Sequence, residues 1–208
     1  MKFNKIVSFI GIFGVVLFAI SSIVGGFLIE NYSIASQLIS ETYAIDTEYG
    51  FVLRTYGIIP SGGLISFFCF LALRHFKNSK LTRIGFLGLG IFYGIATVIV
   101  GIFPCDSGCN IEFIDPSISQ LIHTLTGLLT YIFVPISIII IGLGLRNVNS
   151  YSKLSTKAIL YGIVSILFIA LFLSNPSSGF IGFYQRFIEF VFIIWIVNCA
   201  IVIKNESN

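Results

Sequence analysis

Charge is what this chain has least of. Asp, Glu, Lys and Arg make up 10% of its 208 residues, while 56% are hydrophobic and the mean hydropathy is +1.00. A soluble domain carries about 25% charged residues. So few charges cannot cover a globular surface, and that surface must face lipid. Histidine is scarce too, with two residues, too few for the multi-histidine zinc sites of membrane hydrolases and with no pair suited to haem. Neither H-E-x-x-H nor G-x-S-x-G occurs, which removes two common hydrolase signatures. No cofactor is called for. The net charge of +3 does not signal nucleic acid, because the basic residues sit at the ends of apolar runs.

What the chain has in abundance is long hydrocarbon, including 22 Phe. Six apolar runs lie at roughly Ile6–Leu28, Phe51–Leu73, Ile84–Phe103, Ile118–Leu145, Ala158–Leu173 and Phe180–Ile203. Each is near the ~20 residues that a helix needs to cross about 30 Å of hydrocarbon. The runs are continuously apolar and do not alternate, which favours helices over barrel strands. The fold expected is all-α: a polytopic integral membrane protein, with residues 1–208 forming a single six-helix transmembrane bundle. The first run has a basic start, Lys2 and Lys5, like a signal peptide, but its apolar core is too long and no small-residue cleavage site follows. It reads as a retained helix.

Lys and Arg set the orientation. Placing the N-terminus in the cytoplasm puts Lys2, Lys5, Arg74, Lys77, Lys80, Arg83, Arg146, Lys153, Lys157 and Lys204 inside, ten of the twelve basic residues. Arg54 and Arg186 stay in the outer half, and every acid but Glu206 falls outside. Both termini are therefore expected in the cytoplasm, in the cell membrane. The first outer loop, residues 30–50, contains SIASQLISE, whose apolar residues fall at helical spacing, so it is expected to carry a short surface helix, a lid in the interface.

The ionisable residues inside the spans share one depth. Such groups cost roughly 2.5–3.5 kcal/mol to insert and tend to face partners. Arg54 sits one turn into the second span, Asp106 just past the third, His123 one to two turns into the fourth, and Arg186 and Glu189 two to three turns into the sixth. All five belong to the outer half, where they are expected to converge on a cavity open to the outside. Arg186 and Glu189, three apart, can pair on one helix face, leaving Arg54 for Asp106 or a ligand anion. The same five groups also fit structural ion pairs between helices. His123 is followed by Thr124, Thr126, Gly127 and Thr130, which suit close helix packing.

The centre of this pattern is Gly101–His123, GIFPCDSGCNIEFIDPSISQLIH. Cys105 and Cys109 flank an Asp-Ser-Gly turn on the outer, oxidising side, so a disulfide is the plain reading and a redox or mixed-ligand metal role the sharper one. Cys69 and Cys199 lie within spans and read as packing residues.

The segment GIFPCD ending the third span, the histidine early in the fourth, and GFIGFYQR (Gly179–Arg186) ahead of a Trp-bearing last span (Trp195) resemble the prokaryotic membrane family known as domain of unknown function 998. The resemblance covers nearly the whole chain. It implies a six-to-seven-helix unit with Pro104, Asp106, His123 and Arg186 as signature positions, and implies no reaction.

Three functions fit these residues. The first is binding of a membrane lipid or small amphiphile in an outward-facing polar pocket, with Arg54 or Arg186 on an anionic group and Asp106, His123 and Glu189 completing the wall. The second is a membrane hydrolase or transferase with His123 as base and Asp106 as its orienter. The third is a structural or accessory subunit. A transporter is disfavoured, because the inner half offers no charged path and only Pro60 and Pro135 are placed to kink a span.

Overall fold

The structure is a computed structural model that describes residues 2–76 and 79–206, with the side chain of Lys2 left aside. Lys77, one of the basic residues that set the orientation, lies outside the described residues. Six helices are long and apolar enough to cross a membrane: α1 (Phe3–Leu28), α2 (Gly50–Ala72), α3 (Lys80–Ile102), α4 (Ile118–Leu145), α5 (Asn149–Ser174) and α6 (Ile181–Asn205). No strand occurs among the described residues. The chain is thus a multi-pass, all-helical membrane protein. The bounds agree with the apolar runs to within about four residues except in α5, where the polar start NSYSKLSTK is helical as well.

Each helix packs against its neighbours in sequence, and α6 returns to α1, closing a ring of six. Chain direction therefore alternates. Lys5, Arg74, Lys80, Arg83, Arg146, Lys153, Lys157 and Lys204 gather at one end, the basic end. The connections 29–49, 103–117 and 175–180 cover the other, the loop end.

Small residues let the helices close up. A Cβ on Gly94 would stand 2.5 Å from the Ser66 backbone nitrogen, and one on Gly62 would stand 2.7 Å from the Gly94 carbonyl oxygen. Larger side chains there would push α2 and α3 apart. Both helices also carry a wide π turn, Arg54–Ile58 in α2 and Gly90–Ile95 in α3. Such turns leave a helix carbonyl without its usual donor, a serious cost in hydrocarbon. Hydroxyls make good the loss: Ser61 donates to the Ile58 carbonyl at 2.7 Å, and Ser66 reaches across from α2 to the Gly90 carbonyl at 2.5 Å. Pro60 lies two residues after the end of the first π turn, whereas α4 runs on as a helix through Pro135.

The core sits toward the basic end. Phe68, Phe76, Phe86, Leu89, Ile138, Ile141, Leu145 and Trp195 are fully buried there, with Cys69 and Cys199 free thiols among them, the packing role expected of both. The outer faces of the helices remain apolar: Phe9, Phe27, Ile118 and Leu167 are all exposed, as a lipid-facing surface requires.

Candidate functional site

Toward the loop end the same ring is hollow. A cavity of about 270 Å³ lies between α3, α4, α5 and α6, and residues of the first loop roof it. Leu38, Ile39, Ser40 and Tyr43 form the roof, and Tyr93, Tyr131, His123, Gln120, Gln185 and Glu189 supply the polar wall. Along α4 the lining residues Gln120, His123, Thr124, Gly127 and Tyr131 fall on one helical stripe, and along α6 Gln185 and Glu189 stand four apart on one face. A second cavity, about 250 Å³ and almost wholly apolar, lies toward α1 and shares Phe18, Ile39 and Glu189 with the first.

Glu189 stands where the two cavities meet. It is 8% exposed, and its Oε2 has no hydrogen-bond partner among the described residues. The Tyr93 and Tyr131 hydroxyls interact with its carboxyl, yet the Tyr93 hydroxyl is itself buried without a well-formed bond. The expected Arg186–Glu189 pair is not made. Arg186 points its Nη1 at the carbonyls of Ile34 (2.9 Å), Gln37 (2.8 Å) and Gly182 (3.1 Å), and its Nη2 donates to the Tyr32 hydroxyl at 2.5 Å. Three backbone carbonyls and a ring stacked beneath the guanidinium (5.5 Å from the Tyr32 centroid) outcompete one carboxylate that lies deeper in the bundle.

Arg54 does the same from α2, donating to the carbonyls of Tyr43 (2.6 Å) and Ala44 (3.3 Å). Asp106 is not its hydrogen-bond partner, and Arg54 lines neither cavity. The two arginines thus clasp the first loop from opposite sides. Gln185 accepts from the Ile39 amide at 2.6 Å, and the Ala35 carbonyl accepts from the Phe183 amide at 3.0 Å. Held by so many side chains, SIASQLISE does not form the surface helix expected of it. Only a short 3₁₀ turn, Ile39–Tyr43, is helical. Burial raises the Tyr43 pKa, and the nearby Glu189 carboxyl adds to the shift.

The third participant is the second loop. Cys105 and Cys109 form a disulfide, with their Cα atoms 4.8 Å apart. Gly108 between them takes the left-handed conformation at φ 57°, where glycine carries no steric penalty. The pair packs under the first loop: the Ser40 hydroxyl is 3.2 Å from the Cys109 sulfur, and the Ile45 amide donates to the Cys105 carbonyl at 3.0 Å.

Asp106 and His123 are not brought together. The Asp106 carboxylate accepts from the Ser117 amide (2.9 Å) and hydroxyl (2.5 Å), tying the loop to the start of α4. Those bonds hold its pKa below the ordinary carboxylate value. His123 Nδ1 lies 2.9 Å from the Phe103 carbonyl. A carbonyl only accepts, so Nδ1 carries a hydrogen. The orienter expected in Asp106 is therefore a backbone carbonyl, and the His–Asp relay of a hydrolase is not built. Among the described residues, no three His, Cys, Asp or Glu side chains gather as metal ligands would. The small residues after His123 also differ from expectation. A Cβ on Gly127 would meet nothing within 4 Å, and Thr124, Gly127 and Thr130 line the cavity instead of packing a neighbouring helix.

Of the five groups expected to converge, His123 and Glu189 face the larger cavity, Arg186 and Glu189 border the smaller, and Arg54 and Asp106 hold the loops. The tyrosines and glutamines of the wall were not singled out from the sequence. Their signal is the spacing of Gln120 from His123 and of Gln185 from Glu189, one helical turn each.

No curated protein and no solved structure matches the chain. A family model does, over residues 12–202. That span includes Pro104, Asp106, His123 and Arg186 together with both loops of the roof, and the chain belongs to the DUF998 family of proteins of unknown function.

Proposed function

We propose that the protein sits in the cell membrane with both termini in the cytoplasm and binds a lipid or small amphiphile in the cavity at its outer end. The observation that carries the reading is Glu189. A carboxyl buried to this degree with an unpartnered oxygen is costly unless something pairs with it, and here it faces empty space. The wall combines a few convergent polar groups with apolar side chains such as Leu128, Val100 and Leu173, the composition of a ligand pocket. At about 270 Å³ the space is near the lower end of small-molecule sites, which run from about 300 Å³ upward. It suits a head group and the first carbons of a chain, with the remainder in the bilayer. Arg54, Asp106 and Arg186 serve this site by holding its roof.

Native mass spectrometry and lipid extraction of the purified protein test the reading. Wild type and Lys153→Ala, a change at the exposed basic end, are expected to retain the same adduct, while Glu189→Gln loses it about tenfold, one broken charge-assisted contact. Equal retention in every variant, or no adduct in any, would contradict it. The cytoplasmic placement of the termini is checked by an impermeant thiol reagent on intact cells, which should label a cysteine introduced at Ala35 and not one introduced at Lys204.

A further inference from the structure

We infer that the ligand's head group is an ammonium cation, recognised by Glu189 and the tyrosine rings around it. This rests on the amphiphile-binding reading and names the chemistry of that same site. Every basic group near Glu189 is otherwise engaged. Arg186 and Arg54 direct their hydrogen bonds to loop carbonyls, and His123 has its Nδ1 hydrogen on the Phe103 carbonyl. The remaining lysines and arginines of the described residues belong to the basic end. Among the described residues no basic side chain is thus hydrogen-bonded to this carboxylate, which is 8% exposed and unpartnered at Oε2.

An ionised carboxylate is stable at such a site only with a cation and further hydrogen bonds. The walls beside it fit one. Tyr43, Tyr93, Tyr131 and Phe172 all line the cavity, and Tyr131 and Phe172 meet edge to face with centroids 5.3 Å apart. Ring faces attract an ammonium group, most strongly where water is excluded. Tyrosine hydroxyls turned toward the carboxyl complete the coordination without adding charge. An anionic head would meet Glu189 as a like charge. A neutral alcohol would leave the carboxylate uncompensated. The ammonium of a membrane lipid and that of a free amine are the same chemistry at this point, and the alkyl chain tells them apart.

The experiment measures Kd on the full-length protein in a neutral detergent, using three probes below their micellar concentrations: octyltrimethylammonium, octyl sulfate and tetramethylammonium. The expected result is at least tenfold tighter binding of octyltrimethylammonium than of octyl sulfate, with the preference falling to about onefold in Glu189→Gln. Tetramethylammonium binding within threefold of its octyl form supports a free amine as the ligand. A loss of more than tenfold without the chain supports a lipid. Equal affinity for cation and anion in the wild type overturns the ammonium assignment and leaves the amphiphile reading standing. No binding of either octyl probe overturns both. A preference that survives in Glu189→Gln overturns the role of that carboxyl. Should that variant fail to fold, the wild-type comparison alone decides the sign of the head group, and Tyr131→Phe, which keeps the ring, should weaken the cation by less than fivefold.

Discussion

Cut across its middle, the bundle has one half filled by side chains and one half left open. Both halves are made from the same six helices, so hydropathy does not distinguish them. The difference lies in what the helices send inward. Toward the basic end these are Phe68, Phe86, Ile138, Ile141 and Trp195, all fully buried and mutually packed. Toward the loop end they are Gln120, His123, Thr124, Gly127, Gln185 and Glu189, which border a cavity. A membrane bundle is held together by close packing and not by exclusion of water. The filled half can therefore carry the stability, which leaves the open half free to hold polar groups that packing alone would not retain.

That contrast is broken first by emptying the filled half. Trp195→Ala should cost about 3–5 kcal/mol, the usual range for a large aromatic removed from a core, whereas Leu128→Ala on the half-open wall should cost less than about 1 kcal/mol. Thermal unfolding in detergent measures both, and equal losses would mean that the two halves are packed alike. Next in size is the clasp. Arg186→Ala frees the carbonyls of Ile34, Gln37 and Gly182 and the Tyr32 hydroxyl. It should cost about 1.5–3 kcal/mol, as for hydrogen bonds to a charged group, with a rise in amide hydrogen exchange confined to residues 31–44. Lysine should not restore it, because an ammonium lacks the planar fork. Unchanged exchange in that segment would show that the roof is held without the arginine.

Breaking the Cys105–Cys109 bridge is expected to cost about 2 kcal/mol, the chain-entropy value for so short a loop. The loss should appear as loosening at Ser40 and Ile45, which pack against it, and not at the basic end. The smallest effect is expected at Asp106. The Ser117 hydroxyl and amide hold its pKa below the ordinary value. Its contribution is thus fully present above the pKa of the unfolded chain and is lost as pH falls through the lower, folded value. Amide protection at Ser117 should decline over that acidic window in wild type. In Asp106→Asn it should be weak already at neutral pH, with no acid transition.

The six crossings and the one-sided depth of the embedded charges were legible in the sequence, because hydropathy and helix length decide them without reference to any neighbour. What those charges bind was not. Arg186 and Glu189 lie one turn apart, and spacing alone favours their pairing. It is the path of the first loop, which brings the carbonyls of Ile34 and Gln37 over α6, that draws the arginine away. Asp106 likewise finds Ser117 because the turn after Cys109 doubles back, a matter of loop geometry. Gly127 reads as a packing residue wherever the helix opposite is close. Here nothing is opposite, and only the arrangement of α3 to α6 reveals the space.

That space gives the most direct measurement. A Cβ on Gly127 would meet no atom within 4 Å, so Gly127→Phe should fold with wild-type thermal stability while filling the cavity, and native mass spectrometry should show its bound amphiphile gone. An adduct retained at wild-type occupancy in a folded Gly127→Phe protein would contradict the account, since the ligand would then lie somewhere other than the hollow beside Glu189.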